Sequence, residues 1–231
     1  MIQENLSRIL GRIGEICRKL GRDPGEVVLI GVTKYADVSA IREAVGAGLA
    51  HIGENKVQDA KDKFSEMGED ISKVTKHMIG HLQTNKVRQC LEWFDLIQSV
   101  DSIKLANVIE AEAAKLKKRV DILVQVNTAG EEQKFGVSPV QALTLVEEVS
   151  GMKHVQLLGL MAMASHGAGE GAVRQSFRDL RLLRGRIIER FAGVPNVRMK
   201  YLSMGMTDDF EIALEEGSNM VRIGRAIFSE E

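Results

Sequence analysis

The sequence predicts an α/β fold: a single (β/α)8 barrel of the TIM type with an extra N-terminal helix. Three observations carry that prediction. Eight short strand-like segments alternate with helix-like stretches between residues 27 and 223, and strands separated by helices build parallel sheets. The first segment, Val27–Lys34, reads Val-Val-Leu-Ile-Gly-Val-Thr-Lys, apolar at successive positions as in a strand covered on both faces. A Gly-x-Gly-x-x-Gly run is missing after it. That removes the main reason to choose an open doubly wound sheet, and eight βα units close most naturally into a ring.

The elements follow in order. Ile2, Leu6, Ile9, Ile13, Ile16 and Leu20 recur at steps of three and four, the apolar stripe of a helix that covers one end of the core. After Lys34, a helix over Ser39–Ala47 ends at Gly48, Ala50–Gly53 is a short strand, and a helix runs from Lys56 to Met67. His77–Gly80 reads as a strand, and Thr84 is placed to cap a helix through Trp93. Asp95–Val100 is a strand, and Asp101-Ser102 opens a helix to Lys118. Val120–Asn127 is the fifth strand, and the polar loop Thr128–Gly136 leads to Ser138-Pro139, a cap residue followed by proline at the first helical position. That helix ends near Gly151. Val155–Met163 is a strand, Val173–Phe191 a basic helix, and Val197–Ser203 the seventh strand. Asp208 with Glu211 resembles a capping box for a helix through Glu216, and Asn219–Ile223 is the last strand. No linker or composition break intervenes, so residues 1–231 read as one domain.

Composition excludes several classes of function. Apolar residues are 44% of the chain and charged residues 27%, ordinary for a water-soluble globular protein. Thirty-one Lys and Arg balance 32 acids, so no overall field draws the chain to nucleic acid or membrane. Cys17 and Cys90 have neither metal spacing nor a disulfide framework, which fits a reducing cytoplasm. Glu4, Arg8 and Arg12 interrupt the N-terminus, so it lacks a signal-peptide core. The apolar stretch Leu157–Ala164 is too short to span a bilayer.

Barrels of this kind build their sites at the carboxyl ends of the strands. Lys34, Glu54-Asn55, His81-Leu-Gln83, Asn127, Ser203 and Arg222 fall there. Lys34 ends a buried strand, where a desolvated amine can form a Schiff base, although a lysine that snorkels outward would look the same. Ser203-Met-Gly-Met-Thr207 follows strand seven, and Arg222-Ile-Gly224-Arg225-Ala226-Ile-Phe228 follows strand eight with a short extra helix. Barrels often hold phosphate on those two loops. Gly205 and Gly224 would admit an anion to backbone N–H groups, with hydroxyls from Ser203 and Thr207; the same glycines could serve tight turns alone. A phosphate site and a lysine on one rim suggest pyridoxal phosphate.

Five motifs carry a resemblance. Val32-Thr-Lys34, His51-Ile-Gly-Glu-Asn55 with Val57-Gln58, His77-Met-Ile-Gly-His-Leu-Gln83 with Asn85-Lys86, Leu202-Ser-Met-Gly-Met206 and Val221-Arg-Ile-Gly224 resemble the pyridoxal phosphate homeostasis protein family. The match runs from residue 27 to 228 in the family's order. That family is similar to the barrel domain of fold-type III enzymes such as alanine racemase. The resemblance implies that Lys34 holds pyridoxal 5'-phosphate as an internal aldimine and that Arg222 faces the pyridine nitrogen. It also implies that Thr207, Ser203, Gly224 and Arg225 receive the phosphate and that Asn55 lines the site. The chain departs from the family pattern at Thr207, where serine is common, and at His81, where proline is common.

The expected function is a carrier or buffer of pyridoxal 5'-phosphate that maintains vitamin B6 and amino-acid homeostasis. A permanently charged arginine beside the ring nitrogen discourages its protonation and weakens the ring as an electron sink. Of the two tyrosines, Tyr35 follows Lys34 and would point away from it if the strand continued, and Tyr201 lies on a strand. The chain ends at Glu231, without the second domain that gives alanine racemase its tyrosine base. The alternatives are an amino-acid racemase or decarboxylase of fold type III, a cofactor-free aldolase using Lys34, and a scaffold acting by contact. Expected partners are the cofactor and pyridoxal phosphate-dependent apoenzymes, with no nucleic acid and no membrane, in a monomer or weak dimer.

Smaller signals have plainer readings. His77 and His81 lie on a strand and its loop, about 13 Å apart over four residues, so no metal is assigned to them. The arginines of 174–190 read as a solvated helix face opposite Leu180, Leu183 and Ile187. Met161 and Met163 read as core. Glu131, Glu132 and Lys134 form a surface loop that could close over a ligand.

Overall fold

Buried, largely apolar runs set strands such as Val28–Val32, Leu96–Val100, Val120–Gln125 and Val155–Met161, and amphipathic segments, three of them with side-chain caps, set the helices between. The computed structural model describes residues 1–131, 133–165 and 167–229, which leaves Glu132 outside the described residues. Eight parallel strands pair in chain order and close, β8 returning to β1. They are β1 (Val28–Val32), β2 (His51–Glu54), β3 (Thr75–Met78), β4 (Leu96–Val100), β5 (Val120–Gln125), β6 (Val155–Met161), β7 (Val197–Ser203) and β8 (Met220–Ile223). The expected eight-stranded barrel is the observed one.

Helix α1 (Ile2–Lys19) buries Ile2, Leu6, Ile9, Ile13 and Ile16. From its other flank, Arg12 donates twice to Glu211, at 2.7 and 2.6 Å. Outside the ring lie α2 (Val38–Gly46), α3 (Val57–Met67), α4 (Val87–Trp93), α5 (Ile103–Leu116), α6 (Pro139–Ser150), α7 (Glu170–Arg190), α8 (Phe210–Glu215) and the short α9 (Arg225–Phe228). Asp37 and Ser102 cap α2 and α5, and Ser138 with Gln141 forms a full capping box on α6, satisfying N–H groups that a helix start leaves open. Ile30, Leu96, Leu123, Met161 and Met220 fill the barrel interior, with Met163 packed against them. A larger apolar layer joins the outer strand faces to the helices. Among the described residues, no helix is long and apolar enough to cross a membrane.

Several local expectations differ. β3 starts two residues early, at Thr75, because Thr75 and Lys76 pair with His51 and Ile52 of β2 although their side chains look like loop. Thr84 opens a one-turn 3-10 segment ahead of α4 without a side-chain cap. The Asp208/Glu211 box does not form. Asp209 stands at the start of α8 and accepts from Met206 N at 2.6 Å, while Glu211 is held by Arg12. The arginines of α7 are not simply solvated either: Arg174, Arg178 and Arg181 converge on Glu216, and Arg184 donates to Met199 O.

Candidate functional site

β1 stops at Val32, and the chain then turns: Ala36 N donates to Thr33 O at 3.0 Å. Lys34 and Tyr35 occupy the two middle positions of this turn, a β-turn in form. Both line a cleft of about 300 Å³ at the carboxyl ends of the strands, together with Thr207, Asp208, Arg222, Gly224 and Arg225. That volume is at the lower end for small-ligand sites. Lys34 is exposed at the mouth, with its Nζ 4.8 Å from the centroid of the Tyr35 ring. Tyr35 was expected to point away; because the strand ends early, it shares the cleft and is 89% exposed.

Arg222 rises from β8 into the barrel and is buried. Its Nη1 donates to Ser203 Oγ at 2.6 Å and its Nη2 to Ala162 O at 2.9 Å, both neutral acceptors. Burial pulls its guanidinium down to about 10, opposed by the charge of Asp209, so at neutral pH it stays a cation and a pure donor. Burial conversely raises the Asp209 carboxyl, against the Met206 N–H and the Arg222 charge.

The predicted residues are partly brought together. Lys34, Thr207, Arg222, Gly224 and Arg225 share the cleft wall; Ser203 and Asn55 do not line it. Ser203 is fully buried, and its hydroxyl donates to Gln98 Oε1 at 2.6 Å while accepting from Arg222. That engages its only proton below the rim. Asn55 is half-buried after β2 with its backbone tight against Gly80. Arg225 is exposed and paired with Asp208 at 2.5 Å. Gly205, at φ +99°, lets the β7 loop turn onto α8, and Gly224 packs against Val32. In α9 the Ile227 and Phe228 N–H groups both donate to Gly224 O, and Arg225, its first residue, lines this wall.

Sequence reasoning missed what supports Arg222. From Gln98, Nε2 lies 3.0 Å from His77 Nδ1, and His77 Nε2 lies 3.0 Å from His51 Nδ1. Inward-facing polar residues in otherwise apolar strands were the available signal. Burial, with the neighbouring His51 and Lys76 charges, pushes the His77 imidazole down to about 3. His81 instead stacks on Phe135 and pairs with Asp101 at 3.3 Å. Glu131 accepts from Ser165 and pairs with Lys134 at 3.0 Å, which joins the loops after β5 and β6.

Comparison with known proteins agrees with this architecture. The family model for the alanine racemase N-terminal domain matches residues 12–231. A pyridoxal phosphate homeostasis protein of Aquifex aeolicus (strain VF5) is 39% identical over 98% of this chain and 97% of its own length. A solved protein of unknown function from Bifidobacterium adolescentis superposes with a TM-score of 0.93 at 36% identity, covering 98% of this chain and 94% of the other. PipY of Synechococcus elongatus PCC7942, solved with PLP bound, gives 0.86 at 32% identity, covering 99% of this chain and all of the other, 100%. The chain belongs to the pyridoxal phosphate homeostasis protein family, built on the alanine racemase N-terminal domain.

Proposed function

We propose that this chain binds pyridoxal 5'-phosphate in the cleft between β1, β7 and β8, and carries or buffers it in vitamin B6 and amino-acid homeostasis. The observation that carries the reading is that Lys34 and Arg222 reach one cleft whose wall is Thr207, Gly224 and Arg225. The residues fit the group: an amine for an aldehyde, hydroxyl and backbone donors for a phosphate, and a buried cation bonded only to neutral oxygens for a ring nitrogen. The names of the relatives and the ligand of PipY support the same cofactor.

When bound, the cofactor supplies an aldehyde that condenses reversibly with amines and a ring that withdraws electrons. Lys34 at the exposed mouth anchors the aldehyde and can release it. Arg222 would face the ring nitrogen as a donor and, being charged already, would take no proton from it. Thr207, Gly224 and Arg225 would hold the phosphate. Ser203 acts through Arg222, and Asn55, expected to line the site, stands after β2 off the cleft wall. The whole chain, residues 1–231, works as one binding domain in the cytoplasm, as a monomer or weak dimer, and passes the cofactor to apoenzymes that depend on it.

Visible spectra of wild type and Lys34→Ala, each with and without added pyridoxal phosphate, test this. Wild type should develop a yellow bound species that borohydride fixes to Lys34, and the variant should not. An unchanged wild-type spectrum would overturn the reading. Because Tyr35 shares the cleft, loss of chirality in L-amino acids is measured alongside; rapid loss would replace the carrier role with racemisation.

A further inference from the structure

Thr33, the residue before Lys34, is fully buried with every polar group engaged. Its N–H donates to Gly53 O at 3.0 Å, its Oγ1 donates to Glu54 Oε1 at 2.7 Å, and its carbonyl accepts from Lys63 Nζ at 2.6 Å. Lys63 Nζ in turn lies 2.9 Å from Glu54 Oε1. The Glu54 side chain is 1% exposed and that of Lys63 18%. The carbonyl that Lys63 grips is also the one that closes the turn by accepting from Ala36 N. Two elements, β2 and α3, thus lay an ion pair against the peptide from which Lys34 springs.

A buried ion pair is weak evidence for stability, since its desolvation offsets most of its attraction. Here the pair is also incompletely satisfied: Glu54 Oε2 has no hydrogen-bond partner among the described residues. The turn is already closed by the neutral Ala36 N–H, so the Lys63 ammonium is a second donor to the same carbonyl. What the pair does supply is direction. The carbonyl that Lys63 holds belongs to the peptide joined to the Lys34 nitrogen, and the Lys34 side chain lines the cleft, so fixing Thr33 fixes the backbone from which the lysine enters it.

We propose that Glu54 and Lys63 are positioning residues that clamp Thr33 and so aim the Lys34 amine. This rests on the assignment of Lys34 to pyridoxal phosphate made above. Capture joins Nζ to the aldehyde carbon as C=N, and the carbonyl oxygen leaves as water with both amine protons. Borohydride then adds hydride to that bond and makes it permanent.

The test uses full-length wild type, Lys63→Met, Lys63→Arg and the charge-balanced double variant Glu54→Gln/Lys63→Met. Each is titrated with pyridoxal 5'-phosphate by visible absorbance and mapped by borohydride fixation. Pyridoxine 5'-phosphate, which has the same ring and phosphate but an alcohol for the aldehyde, is titrated in parallel. In the double variant, capture at Lys34 should slow roughly ten- to a hundredfold, as misplacement of a reacting group does, with pyridoxine phosphate affinity within about twofold of wild type. Lys63→Arg should recover most of the rate. The clamp is overturned if capture is unchanged, or if both ligands weaken in the same proportion, which marks a merely structural role. Lack of capture by wild type itself would instead overturn the cofactor assignment, and the clamp with it.

Discussion

Arg222 Nη1 donates to Ser203 Oγ across 2.6 Å, and that contact fastens the arginine to a polar chain crossing the barrel. Ser203 Oγ donates to Gln98 Oε1, Gln98 meets His77, and His77 meets His51. Arginine can only donate. The order is therefore fixed from its end: the hydroxyl accepts and then donates, the amide donates from Nε2, and His77 accepts at Nδ1 and donates from Nε2.

Ser203→Ala removes an acceptor from a buried cation and a donor from a buried amide at once. Leaving such groups unpaired costs about 1–3 kcal/mol, so urea denaturation should show a loss of that order. Pyridoxal phosphate should also bind more weakly, because Arg222 loses the contact that orients it. Unchanged affinity with lowered stability would confine Ser203 to the scaffold.

The same chain makes stability depend on pH. His77 titrates near 3 in the folded state against an ordinary value of 6.5, and burial lowers His51 too. The unfolded imidazole takes up a proton as pH falls through 6.5, while the folded one stays neutral. Unfolding therefore binds protons between pH 6.5 and 3, and stability, complete above that window, falls within it. The slope from His77 alone is about 1.4 kcal/mol per pH unit. Denaturation midpoints across this range should decline steeply in wild type and less steeply in His77→Gln.

The barrel was legible because strand and helix periods repeat locally; β7 appears with the bounds its residues suggest, Val197–Ser203. Lys34 and Arg222 were legible from the rule that strand ends carry the chemistry. Tyr35 was not, since alternation extrapolates a strand past Val32 and cannot foresee the turn closed on Thr33. Nor was the support of Arg222. His51, His77, Gln98 and Ser203 sit on four strands far apart in sequence and meet only on ring closure. The Asp208/Glu211 box failed because Arg12, from a distant helix, holds Glu211 more closely than the local backbone can.

Gly205 has φ +99°, and a Cβ there would lie 2.6 Å from Ala213 Cβ and 2.9 Å from Phe210 Cα. Both neighbours belong to α8, which cannot retreat without moving the Thr207 wall. Gly205→Ala should therefore cost about 1–3 kcal/mol from backbone strain and weaken phosphate binding, read by thermal melting and by titration with pyridoxine 5'-phosphate. Gly14→Ala, in a helix where a Cβ meets nothing within 4 Å, is the control and should melt at or slightly above wild type.

Glu216 lies at the opposite end of the barrel from the cleft, between α8 and β8, with its side chain 6% exposed. Arg174, Arg178 and Arg181 reach it at 3.4, 3.0 and 3.3 Å. Their combined pull holds its carboxyl below the usual range against the opposing effect of burial. Glu216→Gln would leave three guanidinium groups crowded without their shared anion. Because those arginines are each partly solvated, the expected destabilisation is about 1–3 kcal/mol rather than that of a fully buried pair. The residual repulsion is screened by salt, so the deficit in urea melts should shrink from low to high sodium chloride. Replacing Arg178 by Met in the same chain should recover part of it, because one of the three like charges is gone. Affinity for pyridoxal phosphate should not change, since neither the cleft wall nor the Arg222 chain touches this cluster. A deficit independent of salt would mean that Glu216 contributes by shape and not by charge.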